Sequence, residues 1–366
     1  SLSDADIAAV SKVIKSGMLV QGDHVAQFEE IIGEISGARY AIALSSCTAA
    51  LHTSLLGLGT GPGDLVIVPT YSWPATANVV DVTKAEPIFV DIDPETYNIS
   101  VNQLENSLRN LDDSGRLDNL RAIIVVHAFG TMADNPEILD LANRVDIPVI
   151  EDAACALGAE QDGRPAGTWG ALGCFSFHPR KLVTTGEGGA IVTDDPDLAA
   201  FAREFRDHGR RHTGVETAFA IAGLNYRLTD FQAALGIGQL KRLPETLDRR
   251  RKLARNYRSL LADFPLGLPV DKGTASTWQS FVVQLEAGTD RDSVINQLAA
   301  RDIEAAIGTI ALPLTDHFSR LELQVSQSLD VVTEVSKQSL SLPFYTTMDE
   351  SDQEQVAEAL DQILST

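Results

Sequence analysis

The 366-residue sequence predicts an α/β protein, with a largely parallel sheet in a longer first part and a smaller α/β part after it. Two patterns predict this. Apolar runs without polar alternation, Leu65-Val66-Ile67-Val68-Pro69, Pro87-Ile88-Phe89-Val90-Asp91, Ala122-Ile123-Ile124-Val125-Val126-His127 and Pro148-Val149-Ile150-Glu151-Asp152, alternate with helix-like segments. Bounded by polar turns, such runs fit strands covered on both faces, hence a parallel sheet between helices. Near Leu243 the composition then shifts to Glu245-Thr246-Leu247-Asp248-Arg249-Arg250-Arg251-Lys252, which reads as a long connecting helix with its charges on the exposed face.

After the connector, Gln279-Ser280-Phe281-Val282-Val283-Gln284-Leu285 alternates like a strand, 291–300 has helical spacing, and Leu342-Pro343-Phe344-Tyr345 precedes a helix over Glu350–Leu364. Two domains, 1–243 and 244–366, follow from this division, since the length exceeds what one typical core supports. No Gly/Ser or Pro-rich linker, low-complexity tract or repeat separates them, so tight packing is expected.

Lys plus Arg number 29 against 51 Asp plus Glu, a net charge of -22, which disfavours nucleic acid or an acidic membrane as a primary partner. Nothing resembles a DNA-binding module. The three cysteines, Cys47, Cys155 and Cys174, are widely spaced, without a Cys-x-x-Cys pair or a histidine cluster. A disulfide framework and a structural zinc site are therefore not expected. No apolar stretch is long enough to span a bilayer and no signal-peptide pattern opens the chain, so a cytoplasmic location is expected.

The chemistry concentrates in two segments. Ser176-Phe177-His178-Pro179-Arg180-Lys181 runs into Thr184-Thr185-Gly186-Glu187-Gly188-Gly189-Ala190, downstream of Glu151-Asp152-Ala153-Ala154. A lone lysine is ordinarily a solvated surface charge. A lysine beside a buried carboxylate is different: it can condense with an aldehyde cofactor to form a Schiff base, while the carboxylate keeps a pyridine nitrogen protonated. The pair points to pyridoxal 5'-phosphate. Asp152 would sit at a strand carboxyl end, where parallel sheets gather ligands, although a turn or cap aspartate fits the same position. In Ser45-Ser46-Cys47-Thr48-Ala49-Ala50-Leu51-His52, small residues lead into a helix beginning near Thr48, whose free N–H groups and dipole suit a phosphate. An ordinary N-cap has the same pattern. Gly57-Leu58-Gly59-Thr60-Gly61-Pro62-Gly63 follows a helix and not a strand, so it is read as a loop and not as a dinucleotide fingerprint. His127 and His178 are read as packing or hydrogen-bonding groups.

Taken in order, these segments resemble the sugar aminotransferases of the DegT/DnrJ/EryC1/StrS family almost end to end. The resemblance extends through Ser16-Gly17-Met18-Leu19-Val20-Gln21-Gly22, Phe28-Glu29-Glu30, Gly37-Ala38-Arg39-Tyr40-Ala41, Thr70-Tyr71-Ser72-Trp73-Pro74-Ala75-Thr76-Ala77-Asn78 and Gly223-Leu224-Asn225-Tyr226-Arg227-Leu228-Thr229-Asp230-Phe231-Gln232-Ala233-Ala234. It implies fold type I of the pyridoxal-phosphate transferases: a mostly parallel seven-stranded sheet between helices, then a smaller C-terminal domain. It also implies residue roles. Lys181 is the Schiff-base lysine and proton carrier, Asp152 the partner of the ring nitrogen, and Trp73 the aromatic over the ring, although an aromatic after a strand is more often core. Cys47, Thr48 and Ser176 lie at the phosphate, and Asn225 reaches the phosphate of a neighbouring subunit, giving a homodimer with shared active sites. The bland alternative for that last segment is a loop asparagine before an amphipathic helix with Asp230 on its surface.

Cys155 departs from the family pattern, where Gln or His is usual and approaches the cofactor's phenolic oxygen; a thiol is a weaker donor. The implied substrates are L-glutamate and a nucleotide-linked keto sugar. The turn after Lys181 looks more like the branch that aminates C4 of 4-keto-6-deoxy sugars. C3-aminating enzymes, aminocyclitol transaminases, a dehydratase lacking the lysine and a non-catalytic regulatory homologue are the alternatives. As a base Lys181 must be neutral, so its pKa is expected to be lowered by burial and by the cofactor's positive charge. The family has a few residues before this start, so the chain is expected to lack its native N-terminus.

Overall fold

The architecture was obtained as a computed structural model that describes residues 2–213, 216–270, 272–321 and 328–365. Seven strands form the central sheet: β1 (Tyr40–Leu44), β2 (Leu65–Pro69), β3 (Glu86–Val90), β4 (Leu120–Val126), β5 (Val149–Asp152), β6 (Leu172–Ser176) and β7 (Gly189–Thr193), in the spatial order β1-β7-β6-β5-β4-β2-β3. Only β7 runs against its neighbours; the other pairings are parallel. The apolar runs become strands within two residues of the expected bounds.

Their lack of alternation has a direct cause. In β1, Ile42 and Leu44 enter one core cluster, with Val68, Phe89, Ile124 and Ile191, while Ala41 and Ala43 enter another, with Phe175 and Val192. Successive side chains point to opposite faces, and both faces are covered. The covering helices include α1 (Asp4–Ser16), α2 (Asp23–Ser36), α3 (Cys47–Gly57), α4 (Ala75–Val82), α5 (Val101–Asp113), α6 (Asn135–Arg144), α7 (Pro196–Phe205) and α8 (Asp230–Lys241). Two of them begin on reciprocal caps. Ser3 with Asp6 closes a capping box on α1, and Thr229 with Gln232 closes one on α8. Asp230 does not lie on the surface of α8: it is buried and accepts from the Val25 amide at 3.0 Å and pairs with His24 Nδ1 at 2.8 Å. Residues 58–64, after the helix-ending Gly57, form the loop between α3 and β2, with Gly59 and Gly63 at positive φ; the glycine run thus lies between a helix and a strand and not between a strand and a helix.

Past the connector helix α9 (Leu243–Leu260), a four-stranded antiparallel sheet takes the order β8-β9-β11-β10, from β8 (Leu266–Gly267), β9 (Phe281–Leu285), β10 (Ala306–Ile307) and β11 (Ser339–Leu342). With α10 (Arg291–Ala299) and α12 (Glu350–Leu364) it encloses its own core around Tyr257, Phe281, Leu298, Leu340 and Leu360. The helix α11 (Asp330–Gln338) is tied back to the end of β3 by Asp91, which accepts from the Val331 and Val332 amides at 3.2 Å each. A second tie is the short pairing of Tyr71–Ser72 with Ile310–Ala311.

The arginine run of the connector departs from the expected exposed face. Arg250 is buried and donates to the carbonyls of Trp278 at 2.7 Å, Gln279 at 2.6 Å and Phe344 at 3.2 Å. Arg249 donates to the Thr346 carbonyl at 3.3 Å, and Arg251 to those of Ala275 and Ser276 at 3.3 Å each. Carbonyls at loop ends must be satisfied, and a guanidinium carries five donors. Charge patterning alone does not reveal that demand.

Gly189 brings β7 against the start of α3. A Cβ there would stand 2.3 Å from the Ser46 carbonyl carbon and 2.5 Å from the Cys47 nitrogen. Gly189→Ala is therefore expected to cost about 1–3 kcal/mol through overpacking, read as a lower midpoint in chemical denaturation.

Candidate functional site

Asp152 is the last residue of β5, delivered to the carboxyl edge of the sheet by an apolar strand and only 6% exposed. Its Oδ2 accepts from Thr76 Oγ1 at 2.8 Å, and its Oδ1 from the Ala154 amide at 3.3 Å, with Cys47 Sγ at 4.0 Å. Burial pushes the carboxyl above the ordinary carboxylate range; the Thr76 hydroxyl, the Lys181 charge and the Ala154 amide oppose the shift without cancelling it.

Lys181 stands in the turn that returns the chain from β6 into the reversed β7. Phe177 closes that turn, donating to the Gly188 carbonyl at 2.9 Å and accepting from the Thr185 amide at 2.9 Å, while Gly186 takes φ +85°. The positive φ is one that glycine adopts at little cost. The lysine is half-buried, and its Nζ donates to Cys155 Sγ at 3.1 Å. Cys155 is itself fixed through its carbonyl, which accepts from Thr277 Oγ1 at 2.7 Å.

The expected lowering of the Lys181 pKa is not what these residues produce. Burial pulls it down, but Cys155 beside the amine, then Asp152 and Cys47, outweigh burial and hold it above the ordinary lysine value. The protein's own groups thus favour an ammonium. The positive charge of a cofactor, the other cause expected, is the one these residues do not supply. Cys47 is pushed well up by burial and by the Asp152 charge, so its thiol is neutral.

Residues Cys47 and Thr48 open α3, whose N-cap is Ser46, with Oγ accepting from the Ala49 amide at 3.0 Å. Among the described residues the Cys47 and Thr48 amides have no acceptor, and Thr48 is exposed. Ser176 ends β6, partly buried, its Oγ accepting from the His178 amide at 3.4 Å. Trp73 is 64% exposed between the Tyr71–Ser72 strand and α4, so it is not a core aromatic.

The fold therefore brings Cys47, Asp152, Cys155 and Lys181 together by direct contact or charge coupling, with Trp73 three residues before Thr76 on the strut that holds Asp152. Asn225 is not drawn into this set. Its side chain is exposed, without a hydrogen bond to the set among the described residues, although the neighbouring Tyr226 carbonyl accepts from the Ser45 amide at 2.8 Å. His127 and Glu151 are fully buried and paired at 2.8 Å, with Glu151 also accepting from the Gly167 and Gly170 amides. They are structural. Thr76 and Ser72 are the residues that sequence reading passed over; nothing distinguishes their hydroxyls from the others in 70–78.

The donor set fits pyridoxal phosphate. An amine suits its aldehyde, a buried carboxylate with spare lone pairs suits its ring nitrogen, and unpartnered amides at a helix start suit its phosphate. Among the described residues no cluster of His, Cys, Asp or Glu could hold a metal ion, and no helix is long and apolar enough to cross a membrane.

The sequence profile of the DegT/DnrJ/EryC1/StrS aminotransferase family matches residues 1–361. The chain is 37% identical over 358 residues to GDP-perosamine synthase of Caulobacter vibrioides, covering 94% of this chain and 91% of that protein. It is 35% identical over 384 residues to UDP-4-amino-4-deoxy-L-arabinose–oxoglutarate aminotransferase of Shewanella sediminis, covering 100% and 96%. A DegT/DnrJ/EryC1/StrS aminotransferase from Brucella abortus superposes with a TM-score of 0.93 at 34% identity, over 99% of this chain and 96% of that one. The chain belongs to the DegT/DnrJ/EryC1/StrS aminotransferase family, a family of pyridoxal-phosphate-dependent sugar aminotransferases with the type I fold.

The raised pKa of Asp152 has a stability consequence. Above the raised value its charge burdens the folded state, and below the ordinary carboxylate range the group is protonated in both states and the burden is gone. Asp152→Asn is expected to raise the thermal midpoint of the cofactor-free protein at neutral pH, the difference from wild type closing as pH falls through the carboxylate range. Calorimetry over that range checks it.

Proposed function

We propose that this enzyme moves an amino group from L-glutamate to C4 of a nucleotide-linked 4-keto-6-deoxyhexose, as a homodimer with shared active sites. The observation that carries the reading is the placement of Lys181 and Asp152 at the carboxyl edge of neighbouring parallel strands, both in the dry rim of one site. The Shewanella relative supports the C4 position and the donor but not the 6-deoxyhexose, since its name joins a UDP-linked 4-amino pentose to oxoglutarate, the keto acid of glutamate.

Bound there, pyridoxal phosphate would supply an aldehyde carbon and a ring that accepts electrons. The chain's residues do the rest. Asp152 would hold a negative charge against the ring nitrogen, and Trp73 would cover the ring and exclude water. The Cys47 and Thr48 amides and the Ser176 hydroxyl take phosphate oxygens. Lys181 would hold the aldehyde carbon through Nζ and, as a free amine, would take a proton at Nζ from the donor's α-carbon and, in the reverse half, hand one to C4 of the sugar. Cys155 stands beside that amine where the family usually has Gln or His.

Asn225 is assigned to the partner's phosphate. In support, the bridge between Val20 and Thr229 brings the exposed Met18, Leu19 and Val20 to the stretch that holds the exposed Leu224. Clustered apolar exposure of this kind marks an association surface. The domains are assigned as 1–243 and 244–366, and the compartment as cytoplasmic, in keeping with three free cysteines.

Adding L-glutamate to the cofactor-loaded protein is expected to bleach its visible band and release 2-oxoglutarate; a band that ignores glutamate overturns the donor assignment. Lys181→Ala is expected to lose transamination by about 10²–10⁴-fold or more, the scale of a removed acid–base group, and a variant that still transaminates would sink the lysine's role. Asn225→Ala is expected to shorten cofactor retention in a dimer seen by sedimentation. A stable monomer that keeps its cofactor would contradict the shared site.

A further inference from the structure

Asp152 has one strong neutral donor, and that donor is itself backed by another. Thr76 is 0% exposed, and its Oγ1 lies 2.8 Å from Asp152 Oδ2 and 2.8 Å from Ser72 Oγ. An ionised carboxylate only accepts, so the Thr76 proton points to Asp152. Each hydroxyl has one proton, so Ser72 must then donate to Thr76. The order is Ser72 to Thr76 to Asp152, and a chain of hydrogen bonds polarises each member in the same sense. A helical threonine ordinarily bonds back to the carbonyl four residues earlier. Here that residue is Ser72, and its hydroxyl is the partner instead.

The remaining groups around the carboxylate do not replace this relay. From α3 comes the neutral Cys47 thiol at 4.0 Å, from β6 the Cys174 thiol, from the end of β4 His127, already paired to Glu151, and from the turn after β6 Lys181, bonded to Cys155. The anchor of the relay lies elsewhere in the chain. Ser72 pairs in register with Ile310, and Tyr71 Oη accepts from the Thr309 amide at 2.9 Å, so the strut between Asp152 and Trp73 is seated by 309–311.

We infer that Thr76, backed by Ser72, is a positioning residue that keeps Asp152 oriented and ionised toward the cofactor's ring nitrogen, coupling that charge to the seat at 309–311. The inference rests on the proposed function above. The hydroxyl occupies Oδ2 and leaves Oδ1, which among the described residues holds the Ala154 amide and the distant Cys47 thiol, with lone-pair capacity for a protonated ring nitrogen.

The test compares wild type, Thr76→Val, Thr76→Ser and Ser72→Ala, each loaded with pyridoxal phosphate. The readings are the pH midpoint of the visible band, the rate of cofactor loss, and kcat and KM for glutamate in the first half-reaction. In Thr76→Val, which keeps the shape and removes the donor, the midpoint is expected to move, cofactor loss to quicken, and kcat to fall by about ten- to a hundred-fold with KM little changed, the scale of one hydrogen bond to a charged group. Thr76→Ser is expected to restore all of them, and Ser72→Ala to shift them in the same direction by less, which keeps the test open if Thr76→Val folds poorly. An unmoved midpoint and kcat in Thr76→Val, or a Thr76→Ser protein that behaves like Thr76→Val, overturns the inference. The two levels separate cleanly: a wild type that takes up no cofactor or ignores glutamate defeats the proposed function and this inference with it, whereas a normal wild type with an unchanged Thr76→Val defeats the relay alone.

Discussion

A carboxylate held nearly out of water at the end of a buried strand is the constraint around which this molecule is arranged. Burying that charge is unfavourable, as the raised pKa of Asp152 records, and each neighbouring element answers part of the cost. Helix α4 presents a hydroxyl, the chain just beyond β5 presents an amide, and the turn after β6 presents an ammonium. Strand β5 can afford no polar break before Asp152 except Glu151, whose charge is met by His127 and by the Gly167 and Gly170 amides. The sheet is thus a dry platform that ends in one polar rim.

The reversed strand β7 follows from the same requirement. A crossover helix after β6 would have carried the chain away from the rim; the closed turn at 177–188 instead holds Lys181 in the turn beyond the strand end and sends the chain straight back. Gly189 then lets that returning strand touch the start of α3, so the lysine turn and the phosphate-suited helix start share one boundary.

The sheet was legible because burial on both faces writes itself as continuous apolar runs, and β2, β4 and β5 could be bounded almost to the residue. The connector helix was legible through its shift to an Arg-rich composition, and α12 through its helical spacing. The candidate site was legible where chemistry demands a residue type, as at Lys181 and Asp152, which the fold brings near one another, whereas Trp73 and Ser176 rest on the family motif alone. It was not legible where the demand is made by distant backbone. The inward turn of Arg250 depends on carbonyls of Trp278, Gln279 and Phe344, far along the chain, and the relay depends on a threonine that differs from its neighbours only in what it touches. The sign of the Lys181 shift escaped for a related reason. Burial is readable from a motif, but a sulfur 3.1 Å from the amine is a fact of packing.

The arginines of α9 bear on how the C-terminal sheet stays attached. Arg249 and Arg250 grip neutral carbonyls, so these bonds offer dissolved salt no carboxylate to screen, unlike the pairs of Arg251 with Asp248 and Lys252 with Glu350 on the same helix, and Arg250, pulled down by burial to about 10, stays charged at neutral pH. Exposed pairs such as that of Arg144 and Asp140 belong to the other class. In a saline medium the surface of this acidic protein would lose its charge pairing first, while the carbonyl-bound arginines kept their grip, and the distance between the strut at 71–76 and its seat at 309–311 would be carried by backbone pairing that ionic strength hardly reaches.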